Sequence, residues 1–213
     1  MKITKYVHSC LLIEKDNKVV LCDPGQFSWE SGLVDIDALP QLDLIIITHE
    51  HFDHMHMPFV TALRGKFPDV QILTTPSAKQ QLESAGVNNV TTESHELATI
   101  FSSQTHASLD PLGDAPENIA VHVFDTVTVG GDRHDLEETK AVLALPATAP
   151  WGSMMSAATM LQRLKPQYVI PIHDWHWNEA ARSQAYDRLE AFAKDIGITF
   201  LRPVDGQPLE VSV

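Results

Sequence analysis

The feature that most constrains the fold is a cluster of histidine and aspartate side chains directly after a short apolar run. Residues 44–47 (LIII) are apolar and mostly β-branched, which indicates a buried strand. The next segment, 48–54 (THEHFDH), holds five potential metal ligands. A strand end is a common place for a site in α/β proteins. The sequence therefore predicts an α/β protein with a metal site where this strand ends.

The spacing within the cluster suggests which side chains could act together. If the backbone stays extended, the two-residue period places His49, His51 and Asp53 on one side. Two imidazoles and a carboxylate suit a borderline divalent cation such as zinc. The motif is not His-Glu-X-X-His, because the residue four positions after His49 is Asp53 and the cluster does not lie on a predicted helix.

Length and composition indicate an ordinary globular chain. The 213 residues, 44% of them hydrophobic and 20% charged, predict one domain over 1–213, with two structural halves at about 1–106 and 107–213. No apolar run approaches the roughly 18 residues that span a membrane, and the N-terminus lacks the apolar core of a signal peptide. A cytoplasmic location without membrane contact is expected. Cys10 and Cys22 lie in apolar, strand-like stretches and are interpreted as structural thiols.

The charge balance narrows the class of partner. A net charge of −13 repels nucleic acid and anionic membrane surfaces, so no nucleic-acid partner is expected. A small-molecule substrate fits better. The sequence leaves the oligomeric state open.

Further candidate ligands follow other predicted strands. His106 follows 99–105, Asp132 follows 126–129 and His173 follows 168–172. Each half of the chain has strands first and helices afterwards, which favours two sheets packed face to face with helices outside. The predicted helices are 57–64, 76–85, 153–164 and 179–196, and the predicted loops are 26–39 and 107–118.

These stretches together resemble the metallo-β-lactamase superfamily. The resemblance rests on the His-X-His-X-Asp-His signature at 49–54, His106, Gly131-Asp132 and the Ile-Pro-Ile-His ending at 170–173. Val7-His8-Ser9 and Asp23-Pro24-Gly25 resemble in particular its small branch of metal-dependent hydrolases, which includes ascorbate-6-phosphate lactonase. The resemblance implies a four-layer αββα sandwich of two mixed β-sheets with helices on both outer faces.

The resemblance also implies a two-metal centre. One ion would take His49, His51 and His106, the other would take Asp53, His54 and His173, and Asp132 would bridge them. Two adjacent divalent ions can lower the pKa of a shared water towards ~7. Zinc is the expected ion, with manganese, iron and nickel left open. Asp53, beside the bridging hydroxide, is the candidate catalytic proton acceptor.

Four other residues are candidates to support the site or to line it. His8 resembles the histidine of the family's Gly-His opening, with Val7 in place of glycine. Asp23 is interpreted as orienting a ligand histidine through its second nitrogen. Trp175 and His176, directly after His173-Asp174, are interpreted as one wall of a substrate pocket.

Three functions remain open from the sequence. The first is a binuclear metal-dependent hydrolase that uses a metal-bridging hydroxide on a small ester, lactone, thioester or amide. The second is a phosphodiesterase or nuclease of the same fold, which the net charge and the absence of a basic stripe oppose. The third is a non-catalytic metal-binding protein, which the intact ligand set opposes. A β-lactam substrate does not follow from the fold.

Overall fold

The strands form two mixed sheets in the computed structural model, which describes residues 1–111 and 113–213. In chain order the strands are β1 (Lys2–Lys5), β2 (Leu11–Lys15), β3 (Lys18–Cys22), β4 (Leu44–Ile46), β5 (Gln71–Leu73), β6 (Val90–Thr91), β7 (Ala98–Thr105), β8 (Glu117–Val123), β9 (Val127–Val129), β10 (Val142–Pro146), β11 (Tyr168–Ile172), β12 (Thr199–Phe200) and β13 (Pro208–Glu210).

Each sheet has an antiparallel part and a parallel part. The first sheet has the order β13-β1-β2-β3-β4-β5-β6 and is parallel from β3 to β6. The second has the order β12-β11-β10-β9-β8-β7 and is parallel from β9 to β12. The parallel strands carry long apolar runs because both of their faces are covered. The expectation of two mixed sheets is confirmed.

Three apolar layers hold the sheets and helices together. The layer between the sheets is formed by residues of both, such as Ile13 and Ile46 from the first and Val121 and Ile170 from the second. The helices are α1 (Gln26–Glu30), α2 (Met57–Lys66), α3 (Pro76–Ser84), α4 (Met154–Leu164) and α5 (Glu179–Asp195). Helices α2 and α3 pack on the outside of the first sheet, and α4 and α5 on the outside of the second. This confirms the four-layer αββα sandwich.

Several local predictions were wrong. The predicted loop 26–39 begins with helix α1, which is too short for a helical apolar period to show in the sequence. Strand β7 was assigned to the first half of the chain, but it pairs with β8 in the second sheet. The short strands β12 and β13 were missed, and β13 returns to pair with β1. The single-domain organisation stays a prediction. The predicted loop 107–118 includes Leu112, which lies outside the described residues.

Two smaller predictions concern the cysteines and the membrane. Both cysteine side chains are free and buried, and burial raises the pKa of Cys10 to about 12, which supports their interpretation as structural thiols. Within the described ranges, no helix combines the length and the apolar character needed to cross a bilayer.

A buried ion-pair network joins the first strand to the segment that follows β11. The Lys5 side chain is fully buried, and its Nζ lies 2.7 Å from Oδ1 of Asp205 and 3.1 Å from Oδ1 of Asp174. The Tyr186 hydroxyl of α5 donates to Oδ2 of Asp174. Burial works to raise the pKa of Asp174, but the Lys5 charge and the Tyr186 hydrogen bond outweigh it and lower the pKa. Asp174 directly follows His173, so this network fixes the backbone that carries a candidate ligand.

Replacing Lys5 by methionine should destabilise the protein strongly. The substitution leaves the buried Asp174 carboxylate with only the more distant Arg182 guanidinium, at 3.9 Å, as a cation. Breaking a buried pair in this way costs about 3–5 kcal/mol. Urea unfolding followed by circular dichroism measures the change in the free energy of unfolding. Lys18→Met is the matched control, because Lys18 pairs with Asp43 at the surface at 2.7 Å and its loss should leave the midpoint nearly unchanged. Equal effects of the two substitutions would contradict the role of the buried network.

Candidate metal centre

The predicted site residues meet at one edge of the sandwich, where strands of both sheets end. Asp23 follows β3, the segment 48–54 follows β4, His106 follows β7, Asp132 follows β9 and His173 follows β11. Facing sheets bring these strand ends together although they are far apart in sequence. Two groups of potential ligands result, in each of which the ligand atoms lie within 4.8 Å of one another.

The first group contains His49, His51, His106 and Asp132. Nε2 of His49 lies 3.1 Å from Nδ1 of His51, and Nε2 of His106 lies 3.1 Å from Oδ2 of Asp132. All but His51 are buried.

The second group contains His8, Asp53, His54 and His173. Nε2 of His8 lies 3.0 Å from Oδ2 of Asp53, and Nε2 of His173 lies 3.6 Å from the same oxygen. His8 had only been a candidate supporting residue in the sequence. In the structure, a ring nitrogen of His8 lies within 4.8 Å of the ligand atoms of Asp53, His54 and His173.

The Asp132 carboxylate lies between the two groups. Its Oδ1 is 3.0 Å from Nε2 of His54, whereas its Oδ2 is 3.1 Å from Nε2 of both His106 and His173. The Trp151 indole N–H donates to Oδ2 at 2.9 Å. One carboxylate therefore contacts histidines of both groups.

The backbone of the signature turns and is not extended, contrary to the prediction. The amides of His54 and Met55 donate to the His51 carbonyl, at 2.9 Å and 2.7 Å, and this turn sends Asp53 into the second group while His49 and His51 stay in the first. Gly25 permits the turn to pack closely, because a Cβ at this position would lie 1.7 Å from the Asp53 carbonyl oxygen. The turn depends on tertiary contacts, which the two-residue period of an extended backbone does not take into account.

The second ring nitrogens of His54 and His173 are held by hydrogen bonds that turn their other nitrogens towards the centre. Nδ1 of His54 lies 2.8 Å from Oδ2 of Asp23, and the Thr48 amide donates to Oδ1 of that carboxylate at 2.7 Å. Nδ1 of His173 donates to the Thr148 carbonyl at 2.7 Å. Asp23 thus contacts a candidate ligand histidine, and its orienting role stays a prediction. Such partners fix the tautomer and the ring orientation of ligand histidines.

Electrostatics keep several donors in the protonation state that a cation needs. Burial lowers the pKa of His49 well below its usual value and, with the neighbouring His173 imidazole, lowers the pKa of His8 to about 4. Burial works to raise the pKa of Asp132, but the imidazoles of His173 and His54 outweigh it and lower the pKa strongly. Neutral imidazoles and an ionised carboxylate are the forms that bind divalent metals.

His54 differs from these residues. Burial works to lower its pKa, but the carboxylates of Asp132, Asp23 and Asp53 outweigh burial and raise the pKa well above its usual value. Its Nε2 and Oδ1 of Asp132 are buried, and although they lie 3.0 Å apart, neither makes a well-aligned hydrogen bond with the residues that the structure describes. A divalent cation at this place would satisfy both atoms and would replace the proton on His54. The donor set therefore fits divalent metal.

A cavity of about 260 Å³ opens above the two groups. Its floor includes Asp53, Asp132 and His173, and its other lining residues are Phe27, His51, Phe52, His106, Leu109, Pro150, Trp151 and His176. Trp175 does not line it directly but stacks on Phe27 at 3.8 Å between ring centroids. Phe52 was not singled out from the sequence. Its signal was that it is the one apolar side chain within the 49–54 signature.

Comparisons with known proteins agree with this geometry. The family model described as Beta-lactamase superfamily domain matches residues 2–173. Protein Rv0786c of Mycobacterium tuberculosis is 30% identical over 204 residues, which cover 89% of this chain and 91% of that protein. The UPF0173 metal-dependent hydrolase PF1764 of Pyrococcus furiosus is 26% identical, over 99% of this chain and 100% of that protein.

A solved structure shares the fold. The isothiocyanate hydrolase from Delia radicum gut bacteria superposes with a TM-score of 0.70 at 19% identity and full coverage of both chains, a likeness that shows the fold alone. The family match covers most of the chain and includes the segments that carry both ligand groups. The chain thus belongs to the beta-lactamase superfamily, and it has the metallo-β-lactamase fold.

Proposed function

We propose that the protein is a binuclear hydrolase of small esters, lactones, thioesters or amides. The observation that carries this proposal is the position of Asp132, whose two carboxylate oxygens contact histidines of both ligand groups. A single carboxylate shared in this way suits two adjacent cations better than one. The cavity above the groups gives a small molecule direct access to them.

The two groups support the following ligand assignment. His49, His51 and His106 would hold one ion, Asp53, His54 and His173 would hold the other, and Asp132 would be shared. His8 belongs to the second group and would hold Asp53 through the 3.0 Å contact of its Nε2. We propose that both ions are zinc, and the same nitrogen and oxygen ligands accept manganese, iron or nickel.

The chemistry combines the ions with the groups of the chain. When bound, the two ions supply hydroxide at neutral pH and polarise the oxygen of the scissile bond. Asp53 is only 13% exposed, it lines the cavity, and it accepts a hydrogen bond from His8. Burial works to raise the pKa of Asp53, but the His54 imidazole and the His8 hydrogen bond outweigh it and lower the pKa, so the carboxylate is ionised. Asp53 can therefore pass a proton from the attacking water to the leaving group.

Trp151 keeps Asp132 in place. Its indole N–H donates to Oδ2 at 2.9 Å, and its ring lies 5.7 Å from the rings of both His106 and His173. The indole therefore restricts the carboxylate to the orientation that contacts both groups. No observation at the site favours a phosphodiesterase, because the cavity lining that the structure describes contains no lysine or arginine for a phosphodiester backbone.

Metal content tests the binuclear proposal. Protein purified without chelators should hold two equivalents of divalent metal per chain, and Asp132→Ala should hold one or fewer because both ions lose a shared ligand. Elemental analysis measures the metal, and His95→Ala is the control, since His95 lies outside both groups and its loss should leave two equivalents. A native protein that never holds more than one equivalent would refute the binuclear proposal.

The proton-transfer role of Asp53 predicts a kinetic effect. Asp53→Asn, assayed with enough added metal to fill both sites, should lower kcat by roughly 10²–10⁴-fold with little change in KM, because a general base contributes about that factor. The measurement is hydrolysis of a panel of lactones, esters, thioesters and amides, with an alkyl isothiocyanate and a phosphodiester included. Asp69→Asn, a substitution of an exposed aspartate, is the control. Turnover of the phosphodiester alone would favour the alternative function.

A further inference from the structure

We propose that the substrate is uncharged apart from its reacting group and carries a small aromatic or branched apolar substituent, which binds between Phe27 and Phe52 on one side and Trp151 on the other. This proposal rests on the proposed hydrolase function and adds the substrate class to it. The cavity of about 260 Å³ is smaller than the roughly 300–1,000 Å³ of pockets for drug-sized ligands, so the substituent is small.

One wall of the cavity is a group of aromatic rings from three chain segments. Phe27 of α1 stacks on Trp175 with parallel planes, at 3.8 Å and 8°, and meets the ring of Phe52 edge-on at 5.7 Å and 81°. Phe27 also stands edge-on to His8, at 5.1 Å. The rings support one another, so the wall exists before a ligand arrives. Preformed apolar walls bind ligands without the entropy cost of ordering them.

Two of these rings are exposed to solvent. Phe52 is 56% exposed and Trp175 is 51% exposed, and they are the two aromatic side chains among the exposed large hydrophobic residues of the described chain. Single exposed apolar residues are ordinary, but Phe52 at the cavity and Trp175 behind it both pack on Phe27, and together they form an apolar patch that indicates binding. An apolar substituent would remove part of this surface from water.

The opposite wall is also apolar, because the polar atom of its tryptophan is already used. The Trp151 indole N–H donates to Asp132, which leaves the rest of the ring, with Pro150 and Leu109, to face the cavity. A ligand on this wall therefore meets carbon atoms and no free donor from the indole. The wall can recognise shape and apolar area, but it offers no hydrogen bond for a sugar hydroxyl.

A second charge on the substrate would find no partner. Among the described residues that line the cavity there is no lysine or arginine, and the carboxylates of Asp53 and Asp132 already contact histidines and would be taken up by the ions of the proposed centre. The guanidinium of Arg133, which follows Asp132, donates hydrogen bonds to Asp135 and Gln104. A phosphate or carboxylate on the substituent would lie in an apolar space without a counter-charge, which is costly. Phosphorylated sugar lactones are thus the wrong class for this site.

A pair of hydroxamic acids tests the preference by binding and does not depend on turnover. 4-Nitrophenylacetohydroxamic acid and 4-carboxyphenylacetohydroxamic acid carry the same metal-chelating head and tails of nearly equal shape, but only the second tail is charged. Calorimetry with the metal-loaded protein should show at least tenfold tighter binding of the nitro compound. Equal affinity, tighter binding of the carboxylate, or no binding of either compound would overturn the proposal.

Two matched variants add a positive charge, one at the aromatic wall and one away from the cavity. Phe52→Lys should bring the affinities of the two compounds together or reverse their order, because it adds a cation to the aromatic wall. Met155→Lys adds the same charge at a residue that is 71% exposed and does not line the cavity, and it should leave the preference unchanged. A Phe52→Lys protein with the native preference would also overturn the proposal. If only the proposed hydrolase function is wrong, the binding preference will be intact, but no ester, lactone, thioester or amide will be turned over.

Discussion

The structure depends on one buried carboxylate, that of Asp132. A buried charge is costly unless it is paired and hydrogen-bonded, and here the partners come from different parts of the chain. His54 follows β4 of the first sheet, while His106 and His173 follow β7 and β11 of the second. Only a close face-to-face packing of the two sheets brings these partners to the same carboxylate. The sandwich and the site therefore stabilise each other.

Apolar packing and polar anchoring have separate roles around this carboxylate. The layer between the sheets fixes how far apart the strand ends lie, since interior side chains are packed at crystal-like density. Polar contacts then fix the orientation of each side chain: Asp23 holds His54, and the Thr148 carbonyl holds His173. Asp174 directly follows His173, and its ion pair with Lys5 ties the segment after β11 to the first strand. His54 and His173 are thus each held by a contact outside the ligand groups.

The sequence predicted those features that depend on local pattern. Strand β11 and helix α4 showed clear apolar periods, and the density of ligands in 48–54 placed the site at the end of β4. The division of the signature between two groups depends on a turn that packs against Gly25, and no local rule contains that contact. Helix α1 has too few residues for a period. His8 could be placed only by the fold, because its partner Asp53 lies forty-five positions away.

The net charge of the chain and the lining of its cavity act on different parts of a ligand. This difference explains how one fold can host different substrates. The net charge of −13 acts over the whole surface and disfavours polyanions in general. The ligand groups compensate negative charge only at the reacting atoms, where cations would bind. Beyond the reach of those cations, the substrate that we propose would contact Phe27, Phe52 and Trp151, which lie on α1 and on loops rather than within the strands of the sandwich. Substitutions in these segments can change the substrate while the packed strands keep the ligand groups in place.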